Sequence, residues 1–273
     1  MIKTIKTMSK QEKERYTVPR KVQDVIPVRR IWPDGIFLTG NRFSKTYRFS
    51  DINYLVASRE DKESMFLTYS ELLNSLDSGA VTKITINNRR MNQANFETSI
   101  LMPMQWDGLD DYREEYNQML LDKATNGNGI VQEKFLTVSV RKKDVDAARS
   151  FFARVEADLS SHFAALGSTC GPMNAIERLQ ILHRFYRRGE ENEFRFSLRD
   201  SARKGHSFRD YICPDSIERH SDYLQIGDRF ARVLYLKDYA SYIQDDFVSE
   251  LTDLNRDMML SIDMVPIPTD EAV

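Results

Sequence analysis

Apolar positions divide the chain into helix-periodic and alternating stretches. In "SREDKESMFLTYSELLNSLDSG", Phe66, Tyr69, Leu72, Leu73 and Leu76 follow the i, i+3, i+4 rule and Gly79 comes after them, which predicts a helix and its stop. "DVDAARSFFARVEADLSSHFAALG" has the clearest stripe, formed by Val145, Ala148, Phe152, Val155, Leu159 and Phe163, with Asp144 as N-cap and Gly167 past the end. "NAIERLQILHRFYRRG" predicts a helix capped by Asn174, with Glu177 completing a capping box and Gly189 as the stop. "GLDDYREEYNQMLLDKATNGNG" and "DDFVSELTDLN" read as two more helices. Strands are predicted at "AVTKITINN", at "MMLSIDMVPIP" and at "EKFLTVSVRK", where Phe135, Thr137 and Ser139 alternate with Leu136, Val138 and Val140. "TVPRKVQDVIPVRRIWPDG" holds three prolines and reads as an extended lead-in. Residues 190–221 are polar and irregular and read as a long surface loop with room for a short strand or helix.

The stretch "GNRFSKTYRFSD" (40–51) is one glycine short of the phosphate-cradling pattern G-x-x-x-x-G-K-[ST]. It has an echo 187 residues later. Gly40, Arg42, Phe43 and Asp51 recur as Gly227, Arg229, Phe230 and Asp238, without a gap. The second copy replaces Lys45-Thr46 with Arg232-Val233, whereas the Gly-Asn or Gly-Asp pair and the aromatic residues persist. The shared requirement is a hairpin with a primed turn followed by buried rings. A phosphate loop also needs its second glycine and a helix immediately after it. Here a strand is predicted instead, so the nucleotide reading of Lys45 and Thr46 fails on both motif and context.

Each copy of the echo is followed by a helix and a strand. The expected fold is α+β, with two related hairpin–helix–strand lobes and mainly antiparallel sheets packed by helices. The expected division is a basic, flexible N-terminal arm (1–30), a first α+β lobe (31–170), and a helix, surface loop and second lobe (171–273). One compact domain over 31–268 is the alternative.

Composition narrows the functional classes. The 273 residues are 41% hydrophobic and 29% charged, which is ordinary for a globular chain able to bury a core. Residues 1–30 hold nine Lys/Arg and three Asp/Glu, a net of +6. The whole chain is −2, so the remainder carries −8. Such an arm is a solvated tail or a contact for anionic headgroups, while the acidic body opposes a nucleic-acid backbone. No apolar run approaches a membrane span, and the N-terminus lacks an apolar signal core. The chain is therefore expected to be soluble or peripheral, on the cytoplasmic side of any membrane it touches.

Cys170 and Cys213 share no ligand spacing and read as free thiols. His162, His183, His206 and His220 sit in separate segments, with His162 and His183 expected on helix surfaces or flanks. No catalytic, cofactor-binding or metal constellation emerges. Arg187, Arg188, Arg195, Arg199, Arg203, Lys204 and Arg209 form a loose basic tract diluted by acids. The candidate partner or membrane contacts are Arg20, Lys21, Arg29, Arg30, Arg199, Arg203 and Lys204. "VPIPTDEAV" ends on a cap and acids, as if a new helix began there.

"PVRRIWPDGIFLTGNRFSKTYRFSDINYLVASREDK", "FRFSLRDSARKGHSFRDYICPD", "GDRFARVLYLKDYASYIQDDFVSELTDLN" and "MLSIDMVPIPTDEAV" together resemble the N-terminal region of the large ATPases of conjugative elements. These form the CagE/TrbE/VirB family of type IV secretion, TraE-like in Gram-positive transposons. The resemblance covers nearly the whole chain. It implies an assembly and docking domain that contacts inner-membrane subunits of the transfer channel and supports self-association. ATP and Mg are implied only for a C-terminal domain beyond this sequence, so no catalytic residue carries over. A nucleic-acid-binding module of the same apparatus is the alternative.

Overall fold

In the computed structural model the described residues are 19–52, 54, 56–76, 79–90, 101–126, 130–238, 247–254 and 256–266. The closing "TDEAV" and the first eighteen residues of the predicted arm lie outside them. The helices are α1 (Val22–Val25), α2 (Arg59–Ser75), α3 (Asp110–Asn126), α4 (Val145–Ala165), α5 (Ala175–Tyr186), α6 (Leu198–Lys204) and α7 (Phe247–Thr252). The strands are β1 (Val28–Ile31), β2 (Phe37–Thr39), β3 (Arg42–Phe49), β4 (Val81–Arg90), β5 (Ile130–Val140), β6 (Cys170–Pro172), β7 (Ile217–Arg219), β8 (Leu224–Ile226), β9 (Arg229–Ala231) and β10 (Met258–Met264).

The fold is α+β with antiparallel sheets, as the sequence predicts. β1-β2-β3-β5-β4-β10 form the large sheet, with β6 also pairing β3, and β7-β8-β9 form a small one. β3 is central to the large sheet. One edge pairs with β5 from Phe43↔Val140 to Phe49↔Lys134. The other edge is shared by β2, facing Arg42–Ser44, and β6, facing Tyr47–Phe49.

Both hairpin–helix–strand units occur in order, but their strands do not stay in separate lobes. β10, the last strand of the second unit, pairs with β4 from Met258↔Asn88 to Met264↔Thr82 and so extends the first unit's sheet. Only the second hairpin remains apart, in the small sheet.

Alternation decides what each face of the large sheet meets. Phe43 and Tyr47 of β3 and Leu136, Val138 and Val140 of β5 form the main core with Ala148, Phe151, Phe152, Val155, Leu159 and Phe163 of α4. The α4 stripe, its Asp144 cap (accepting from Ala147 N at 2.8 Å) and the positive φ of Gly167 all follow the prediction. From α2 only Leu72 is fully buried, and Phe66 is 66% exposed although it continues the predicted stripe.

The opposite face carries α5, capped as predicted by the reciprocal Asn174–Glu177 box. Here a second core joins Ala175 and Leu179 to Ile26, Val28, Phe37, Phe196, Ile212 and Cys213. Two expectations are corrected by this core. Residues 190–213 are not a surface loop, because Phe196, Ile212 and Cys213 anchor them; the short helix the sequence leaves room for is α6. The proline-rich lead-in is not simply extended either. It contains α1 and β1 and buries Ile26 and Val28, so the end of the predicted flexible arm is packed onto the body.

Arg178 of α5 joins the two cores. Its guanidinium lies 3.9 Å from the Phe37 ring centroid and donates to Gly35 O, Ser44 O and Ser44 Oγ at 2.7, 2.8 and 3.1 Å. Burial lowers its pKa from 12.5, and the three acceptors and the ring face compensate the buried charge.

Candidate functional site

Lys45 and Thr46 lie within β3, as the hairpin reading requires. Lys45 Nζ ion-pairs with Glu156 Oε2 of α4 at 3.0 Å, and the Thr46 hydroxyl shares a 2.9 Å hydrogen bond with the Thr137 hydroxyl. Both polar groups are spent on holding the sheet to α4 and to β5. Gly40 and Gly227 have φ of 58° and 57°, and the pairs Thr39↔Arg42 and Ile226↔Arg229 flank them. Each hairpin is thus a two-residue turn with the positive φ at its first central position, the II′ pattern.

The scattered histidines stay apart, but His183 is buried rather than superficial. It packs against Phe194 at 5.1 Å, its Nδ1 has no hydrogen-bond partner among the described residues, and burial lowers its pKa. Cys170 and Cys213 are free thiols; burial, with Glu156 nearby, pushes the Cys170 thiol up to about 11. Among the described residues no group of three His, Cys, Asp or Glu is arranged to hold a metal, and no helix is long and apolar enough to cross a membrane.

The predicted basic tract divides in two. Arg187 donates to Cys213 O and pairs with Glu190 and Asp215, Arg188 pairs with Asp257, and Arg209 donates twice to Val28 O. These three are structural. Arg199, Arg203 and Lys204 on α6 are exposed, as are Arg20, Lys21, Arg29 and Arg30, and none of the seven has an ion-pair partner among the described residues. Val28 of β1 and Phe196 beside α6 share the second core, so one packing unit carries both basic sets.

A cleft of about 1070 Å³ opens beyond the C-terminal end of α5, between β4 and β10 of the large sheet and β8 and β9 of the small one. Its lining includes six arginines against four carboxylates, together with Phe185, Met258 and Met259. Around its far wall runs the feature that sequence reasoning missed. Phe230, Val233, Leu234 and Tyr235 are 70–83% exposed, on a chain that has no regular secondary structure after β9. The hairpin echo predicted buried rings here as in the first copy. The prediction holds for Phe43 and fails for Phe230, because no helix among the described residues covers the small sheet as α4 covers β3.

A second exposed apolar point is Trp106, 89% exposed at a φ of +58°. Asp110 holds it by accepting from the backbone N–H groups of Gln105 and Trp106 at 3.0 and 2.9 Å, and Arg113 braces the loop through Asp110 and Asp107. Asp110, the first residue of α3, therefore also builds this tip. Compared with protein-family models and with curated proteins, the chain matches none.

Proposed function

We propose that this chain is an assembly and docking domain of a conjugative-transfer ATPase of type IV secretion. It contacts inner-membrane channel subunits and neighbouring copies at the cytoplasmic face of the membrane and carries no catalysis in this segment. The observation that carries the reading is the uncovered row Phe230–Leu236 beside a polar-rimmed cleft. Large exposed apolar patches on a packed scaffold mark interaction sites. The engagement of Lys45 and Thr46 inside β3 supports the same reading, since the residues nearest to a phosphate loop have structural roles. The sequence resemblance supplies the kind of machine. Binding of the purified chain to the channel subunits tests it; no binding, together with full transfer by an ATPase deleted for the domain, contradicts it.

A second reading, a nucleic-acid-binding module, is favoured by the unpaired Arg29, Arg30, Arg199, Arg203 and Lys204 on one packing unit. It predicts DNA affinity that falls steeply with salt and weakens when Arg199 and Arg203 are changed to Gln.

A further inference from the structure

The echo permits a residue-by-residue comparison of the two hairpins: Phe43 with Phe230, Tyr47 with Leu234, Phe49 with Leu236. In the first, β3 is eight residues long, pairs with β5 along its outer edge and buries Tyr47 to 1% exposure under α4. In the second, pairing stops at Ala231, the chain runs on to Lys237 without regular secondary structure, and Leu234 is 83% exposed. The turn is the same, but the strand along the outer edge and the apolar cover are both missing among the described residues. An unpaired edge beside exposed apolar side chains is a template for strand addition.

We infer that the free edge of β9 and its continuation through Leu236 takes up an extended segment of a partner protein, in the position that β5 holds beside β3, and that this segment alternates apolar residues with carboxylates. This deepens, and rests on, the docking reading. The charge requirement comes from the edge itself. Arg229, Arg232 and Lys237 lie along it; Arg229 pairs with Asp228 at 3.4 Å, but Arg232 spends its Nε on the Asp222 carbonyl rather than on an acid, and Lys237 has no ion-pair partner among the described residues. The adjoining cleft also has more arginines than carboxylates. A second copy of the same run fits poorly in the register symmetric about Val233. Antiparallel pairing centred on Val233 sets Arg229 against Lys237 and Asp228 against Asp238, like charge against like.

The test is hydrogen exchange on the whole chain with an alternating glutamate–valine octapeptide, using the lysine–valine octapeptide as its charge-reversed counterpart. The expected result is saturable protection of the amides of 230–236 by the acidic peptide, weaker by at least about tenfold in affinity for the basic one. Leu234→Asp abolishes the protection without lowering the melting temperature, since the side chain is exposed. No protection at millimolar peptide, equal protection by both peptides, or protection that survives Leu234→Asp overturns the inference. So does a concentration-dependent dimer, seen by sedimentation, that Leu234→Asp dissolves, because the occupant is then a second copy. If Leu234→Asp still binds the channel subunits as the parent does, this surface falls while the docking reading stands. If neither chain binds them, the docking reading falls.

Discussion

Gly35 shows how much a single position can decide. Its φ is +80°, and a Cβ there would lie 1.9 Å from the Met173 carbonyl oxygen, against backbone that cannot move aside. Its own carbonyl accepts from Arg178, so strain at Gly35 reaches both cores. Gly35→Ala is expected to cost at least about 1–3 kcal/mol, measurable by urea denaturation. His183 gives a pH prediction. Burial, followed by Arg187, holds its folded pKa below the ordinary 6.5, while Glu190, Glu191 and Glu193 pull the other way. Below 6.5 the unfolded chain takes up a proton that the folded chain refuses, so stability falls as pH drops through that value. His183→Leu should flatten stability between pH 6.5 and roughly 5, above the range where carboxylates titrate. The raised pKa values of Cys170 and Cys213 predict that neutral-pH thiol reagents label the folded chain slowly and both positions rapidly in denaturant.

At the level of the element, legibility in the sequence tracked how local the cause is. α4 could be read almost completely, because its cap, stripe and stop lie within one short segment; of the stripe only Val145 is less than fully buried, and Phe151 joins it. α2 was read correctly as a helix, but its buried face was read too wide: Leu72 is inside and Phe66 is not. Leu72→Ala should therefore cost about 2–5 kcal/mol, and Phe66→Ala no more than about 0.5, by thermal or chemical denaturation. Residues 190–213 were missed because their apolar positions form only fragments of a pattern, Phe194, Phe196 and Leu198 at spacing two and Phe208, Tyr211 and Ile212 at i, i+3, i+4, each too short to mark an element. They pack through tertiary contacts with α5 and β1, which no local pattern announces.

For the whole molecule, the sequence marked the strands but not their neighbours. Nothing near Met258 indicates that β10 belongs beside β4, since that pairing spans most of the chain and depends on where β5 and the hairpins leave a free edge. The candidate site was half legible for the same reason. The echo located the second hairpin and its turn, but whether its apolar side is covered depends on what packs there, and α4 serves only the first copy. A scaffold with two closed cores and one open apolar edge is suited to holding a partner. The most direct measurement is calorimetric titration of the purified chain and of Leu234→Asp with the inner-membrane channel subunits. The account predicts binding by the parent chain and at least about tenfold weaker binding by the variant at equal thermal stability. Absence of binding by the parent chain, with ATP turnover by the same material that is lost in Lys45→Ala, would contradict it.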